Sequence, residues 1–124
     1  MAYLIVFFGA GLGGALRHGV NVAAARLFGS GFPAGTLIVN VLGSIAIGVL
    51  AGYFGLKMGT SQHLRLFLTT GLLGGFTTFS AFSLDALLLW ERGAVGLALG
   101  YVAVSVLLAV IGAAAGLSAV RAFG

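Results

Sequence analysis

Apolar residues dominate four long stretches of the chain, about residues 3–27, 35–56, 66–90 and 95–120, and polar residues gather in the gaps between them. Each stretch is long enough to cross the hydrocarbon core of a bilayer as a helix, at roughly 20 residues per crossing. The gaps are short. Gly29-Ser30-Gly31-Phe32-Pro33 holds the only proline, residues 57–65 form a polar connector, and Glu91-Arg92-Gly93 forms the third. Connectors of this length join neighbouring antiparallel helices. The pattern predicts an all-α membrane protein, a single four-helix transmembrane domain over residues 1–124 with both termini on the same side.

The third stretch is unlike the others. Its Gly71-Leu72-Leu73-Gly74-Gly75-Phe76-Thr77-Thr78-Phe79-Ser80-Ala81-Phe82-Ser83 run mixes glycine, hydroxyl and phenylalanine residues at bilayer depth. A plain lipid-facing helix has no use for that mixture, and it predicts a broken third helix. Irregular backbone inside a membrane survives only when buried in protein or lining a cavity. A functional site near the midplane is the reading that follows.

Composition reinforces the membrane class. The chain is 60% hydrophobic and 6% charged, with a mean hydropathy of +1.20, against about 25% charged residues in a soluble domain. The N-terminal stretch has no charged leader and no clean cleavage site, so it is taken as a retained span. There is no cysteine, hence no thiol chemistry. Asp85 and Glu91 are the only acids, and His18 and His63 lie far apart near span ends. Nothing argues for an enzyme, and no basic patch suggests nucleic acid. The cations divide almost evenly across the bilayer. Lys57, Arg65 and Arg121 fall on one side, Arg26 and Arg92 on the other, with Arg17 joining the latter if it reaches that surface. Orientation follows the Lys/Arg excess of cytoplasmic loops, so a balance this close predicts dual topology, with copies inserted both ways and able to pair antiparallel.

Several polar positions compete for a role. Gly9-Ala10-Gly11-Leu12-Gly13-Gly14 matches a dinucleotide fingerprint, but that site needs an acid some 20 residues on, and the first acid is Asp85. Close helix packing is the better reading there. It also suits the small-xxx-small pairs Gly9/Gly13, Gly48/Gly52, Gly71/Gly75, Gly96/Gly100 and Gly112/Gly116. Thr36, Asn40 and Ser44 recur at helical spacing on one face of the second stretch. Interhelical hydrogen bonding and a hydrophilic track for a solute explain them equally well. Phe79 and Phe82 share a face among Thr77, Thr78, Ser80 and Ser83. A phenyl ring has a positive edge, so two edges turned inward attract a small anion without a formal charge. Tyr101 and Ser105 form a further i, i+4 pair, for which packing is the more ordinary explanation.

Taken together, these residues resemble the CrcB/Fluc family of fluoride channels. The resemblance rests on Gly13-Gly14-Ala15-Leu16-Arg17, on Gly35-Thr36-Leu37-Ile38-Val39-Asn40, and above all on Gly74-Gly75-Phe76-Thr77-Thr78-Phe79-Ser80-Ala81-Phe82-Ser83. It covers essentially the whole chain. It implies an antiparallel, dual-topology homodimer in a prokaryotic inner membrane, with two pores that export fluoride passively and lower its cytoplasmic level. Phe79 and Phe82 match the family's pore phenylalanines, and Asn40 its pore asparagine, an amide donor to fluoride. Thr36 lies beside that asparagine, Ser80 falls on a hydroxyl track, and Tyr101 and Ser105 match the fourth-helix tyrosine and serine. Arg17 matches an arginine near a pore entrance. Gly74 and Thr77 match the backbone carbonyls that hold a structural, untransported sodium ion at the dimer interface. Ala81 stands where many members have threonine, and His18 where an aromatic is common.

Two other functions share part of this pattern. A small dual-topology drug/proton exporter has the size and the charge balance, but it would carry its proton on an acid in the first span, and none is there. A non-conducting membrane subunit would use the glycines and Asn40 for packing alone.

Overall fold

In a computed structural model the chain is all-helical among its described residues, 1–57 and 59–124. Met58, inside the predicted 57–65 connector, lies outside the described residues. Helix α1 spans Ala2–Phe28 and α2 spans Ala34–Leu56. The third span is segmented into α3 (Gln62–Leu66), a π-helical stretch (Phe67–Leu73), α4 (Gly74–Phe76) and α5 (Phe79–Glu91). Helix α6 spans Val95–Phe123. Four units, Ala2–Phe28, Ala34–Leu56, Gln62–Glu91 and Val95–Phe123, are long and apolar enough to cross a membrane.

The boundaries differ from the hydropathy reading at two places. The third span starts at Gln62 rather than near 66, and the fourth runs to Phe123 rather than 120. Polar residues in the first turn of a membrane helix stand at the interface, where they are tolerated, so their polarity marks depth and not the end of the helix. Arg65 makes use of that position. Its Nη2 donates to the Phe54 carbonyl at 3.2 Å, and its guanidinium lies 5.2 Å from the Phe54 ring centroid. The last carbonyls of a helix lack internal donors, and Arg65 supplies one for α2. At the opposite end Arg92 Nη2 donates to the Gly31 carbonyl at 2.8 Å, joining the first and third connectors. Gly29 and Gly93 end their helices with φ of 75° and 87°, a conformation that side chains bearing a Cβ avoid.

Without a hydrophobic driving force in lipid, helices associate through close packing and small residues. Helix α2 packs most extensively on α6, and α1 on the π-helical stretch and α4. The glycines make these approaches possible. A Cβ on Gly48 would overlap the Ala113 carbonyl, one on Gly75 the Ala10 carbonyl, and one on Gly116 would stand 2.5 Å from the Ile45 carbonyl. The pair Gly96/Gly100 instead faces open space. Large apolar side chains such as Phe7, Phe8, Leu107, Val110 and Ile111 point outward, as a lipid-facing surface requires.

Candidate functional site

The site begins with the backbone between α4 and α5. Thr77 (φ −91°, ψ 160°) and Thr78 (φ −154°, ψ 119°) are extended, and the helical hydrogen-bond ladder lapses across them. Side chains take over its partners. The Thr78 amide donates to Asn40 Oδ1 at 2.8 Å, and Asn40 Nδ2 donates to the Thr78 carbonyl at 3.0 Å. A backbone N–H can only donate and a carbonyl only accept, so this pairing fixes which way the Asn40 amide faces. Arg17 Nε donates to the Gly75 carbonyl at 3.1 Å. The Ala81 amide donates to Thr78 Oγ1 at 3.1 Å, an N-cap for α5.

This exchange frees two carbonyls. In an unbroken helix the Thr78 amide would close onto Gly74 and the Ala81 amide onto Thr77. Both amides are engaged elsewhere. Gly74 is exposed on the face of the protomer, and Thr77 is half-buried beside it. Neutral backbone oxygens suit a hard cation such as sodium, so the donor set that the sequence resemblance implies fits the residues present.

Beside the break lies a cleft of about 420 Å³ lined by Asn40, Ser44, Gly74, Thr77, Phe79, Phe82 and Ser105, among others. Phe79 is 78% exposed at its mouth, and the Phe79 and Phe82 ring centroids are 5.6 Å apart. Asn40 spends one of its two N–H donors on Thr78 and keeps the second. Ser105 is 6% exposed, and its Oγ has no hydrogen-bond partner among the described residues. Buried polar atoms are ordinarily paired, so the Ser105 hydroxyl has hydrogen-bonding capacity left over in the cleft. The cleft offers ring edges, an amide and a hydroxyl, with no side chain of formal charge in its lining. It can take up a small anion by hydrogen bonding.

The remaining candidates are distributed around it. Thr36 lines a second cavity of about 610 Å³ near the other connectors, together with Asn21, Asp85 and Arg92. Tyr101 is buried between the two, with its ring 5.3 Å from Phe82 and 5.5 Å from Phe32. Phe79, Phe82, Tyr101 and Phe32 thus form one aromatic row running from the cleft toward the first connector. Ser80 is exposed and shares a 3.3 Å contact with Thr78 Oγ1. Three further hydroxyls of the third span donate to their own backbone, Thr69 Oγ1 to Arg65, Thr77 Oγ1 to Leu73 and Ser83 Oγ to Phe79. Arg17 belongs to neither cavity lining.

Three residues with clear local roles carry no assignment from the sequence. Thr78 is the junction of the break. Asp85 accepts from the Tyr101 hydroxyl at 3.2 Å, and its i, i+3 relation to Phe82 was the available signal, since that spacing shares a face. Phe32 completes the aromatic row from a loop, where periodicity has nothing to say.

The chain matches the family model described as CrcB-like protein, Camphor Resistance (CrcB), over residues 4–117. It is 59% identical over 122 residues to a protein of Rhodopseudomonas palustris (strain BisB5), covering 98% of both chains. To a protein of Methylobacterium nodulans it is 62% identical over 121 residues, covering 98% of this chain and 97% of the relative. A third relative, from Paracoccus denitrificans, is 53% identical over 119 residues, 96% of this chain and 94% of its own. All three relatives bear the name fluoride-specific ion channel FluC.

Proposed function

The chain belongs to the CrcB family, and on that premise we propose that it is a fluoride-specific ion channel and not an enzyme. As a multi-pass membrane protein of a bacterial cell, it would let fluoride leave passively. Hydrogen fluoride crosses the bilayer neutral and dissociates in a less acidic cytoplasm, and an inside-negative potential drives the trapped anion out through the channel.

The observation that carries this reading is the cleft at the broken third span. Fluoride is small and strongly hydrated, and its carrier must replace water without binding so tightly that exit fails. Phe79 and Phe82 offer ring edges, Asn40 its free amide hydrogen, and Ser105 its unpartnered hydroxyl. Thr36, Ser80 and Tyr101 would extend the polar path toward the two surfaces, and Arg17 would bring its charge to a pore entrance.

The functional unit is proposed as an antiparallel homodimer of single-domain protomers. Exposed Phe79 and Gly74, set among polar groups at bilayer depth, would be poorly served by lipid. A second copy against this face would enclose them. Gly74 and Thr77 carbonyls from two copies would then hold a structural sodium ion, whose chemistry is to neutralise those oxygens and tie the copies together. The near-even division of cations supports insertion in both orientations. Reporter fusions at either terminus should be found on both sides of the membrane, and a single orientation would contradict the antiparallel assembly.

The test of the site is a flux measurement on Phe79→Ile and Phe82→Ile. Each should cut fluoride flux at least about tenfold, the loss of roughly 1.4 kcal/mol of transfer stabilisation, while the protein still elutes as a dimer. Full flux through both variants would remove these rings from the pathway.

A further inference from the structure

Three helices meet at the break, and of the side chains involved only Asn40 is proposed as a ligand of the anion. Asn40 of α2 takes the Thr78 amide and lines the cleft. Arg17 of α1 and Thr78 itself also hold backbone groups there, yet neither is a proposed ligand of fluoride or sodium. Resting on the sodium reading above, we infer that Arg17 and Thr78 are positioning residues that keep the Gly74 and Thr77 carbonyls free to form the cation cradle.

Each acts by a separate hydrogen bond. The Thr78 hydroxyl accepts from the Ala81 amide at 3.1 Å. That amide is the one a rewound helix would return to the Thr77 carbonyl, so the hydroxyl keeps Thr77 available. Arg17 Nε holds the Gly75 carbonyl at 3.1 Å. A rewound helix would give this carbonyl to the Phe79 amide. Holding the Gly75 carbonyl to α1 disfavours its return to the Phe79 amide and so opposes closing of the helical ladder across Thr77 and Thr78. Arg17 stands near the middle of the 27-residue α1, a depth at which a guanidinium is costly and rare without a function. Attachment across to the third span gives it one. Helix α1 is seated tightly enough to serve as the anchor, because Gly9 and Gly13 approach the backbone of Gly71, Leu72 and Phe76 with no room for a side chain.

The experiment uses the purified full-length chain in detergent, titrated with sodium chloride against choline chloride, and reads the midpoint of the sodium-dependent rise in Tm. A ligand that binds only the folded state raises Tm with its concentration. Thr78→Val removes the hydroxyl and keeps the shape, and Thr78→Ser keeps the hydroxyl. Arg17→Met removes the donor. Thr78→Val and Arg17→Met should each move the midpoint to roughly tenfold higher sodium, the scale of one lost hydrogen bond, while Thr78→Ser stays within about twofold of the parent. Should Thr78→Val fail to fold, Thr78→Ala deletes the same hydroxyl with less bulk and carries the same expectation.

A purely structural role gives a different result, with Tm lowered equally at every sodium concentration and the midpoint unmoved; that outcome overturns the inference and leaves the sodium reading standing. A parent protein with no sodium dependence overturns both. A sodium-dependent parent that conducts no fluoride bears on the channel reading alone.

Discussion

Asn40→Ala is expected to abolish most fluoride flux and to cost the protein about 1–3 kcal/mol of stability at once. The two effects share one side chain. Its amide makes a two-point clamp on Thr78, donating at 3.0 Å and accepting at 2.8 Å, and the residue lines the cleft with one N–H to spare. Alanine leaves the Thr78 amide without a partner and strips the Thr78 carbonyl of its cross-helix donor, leaving it only the bond within α5 that an N-cap carbonyl accepts. An unsatisfied buried group costs about 1–3 kcal/mol, and that amide alone accounts for a sizeable share of a typical folding free energy. Asn40→Asp separates the roles. It keeps an acceptor for the Thr78 amide but sets a carboxylate oxygen against the Thr78 carbonyl and an anionic guest. Thermal unfolding and flux measured on both variants check this: Asp should retain more of the stability than Ala, and neither should conduct well. Parent-like flux in Asn40→Ala would show that the clamp and the amide are dispensable.

Gly13→Ala should destabilise the protein while the neighbouring Gly14→Ala should not, although the two glycines are adjacent on one helix. A Cβ on Gly13 would overlap the Leu72 carbonyl and come within 2.8 Å of the Phe76 amide nitrogen. Both are backbone atoms and cannot swing aside as a long side chain does, so α1 must move from the third span. Overpacking of this kind costs typically about 1–3 kcal/mol. Gly13 lies one turn before Arg17, so the shift also draws Arg17 from the Gly75 carbonyl. A Cβ on Gly14 meets nothing within 4 Å, and replacing a helical glycine by alanine gains up to about 1 kcal/mol of propensity. Melting temperatures and dimeric fractions of the two variants should move in opposite directions. Equal behaviour would mean that α1 does not seat on the third span as described.

Those two positions also show what a sequence can and cannot reveal. Hydropathy located all four spans, because crossing a bilayer demands length and apolarity and little else. The unusual Gly/Thr/Ser/Phe run drew attention to the third span, since those residues are wasteful in plain lipid. Geometry between helices was another matter. Small-xxx-small spacing is the same for Gly9/Gly13, which touches backbone, and Gly96/Gly100, which faces open space; only the partner helix distinguishes them. Thr36, Asn40 and Ser44 do share a face, yet eight residues of helix cover about 12 Å, so Thr36 opens on one cavity and the other two on the cleft. The π-helical Phe67–Leu73 stretch and the N-cap by Thr78 arise from tertiary fit, as the third span bends to meet α1 and α2. Asn40 was legible as a polar side chain needing a partner. That the partner is both ends of Thr78 depends on a contact across 38 residues, which no local pattern encodes.

The central claim is tested most directly by fluoride efflux from liposomes containing the purified chain alone, with a potassium ionophore setting the potential and chloride as the comparison anion. Rapid, potential-driven fluoride release with little chloride release is the expected result. Silence from folded, dimeric, sodium-loaded protein, or equal passage of both anions, would contradict it.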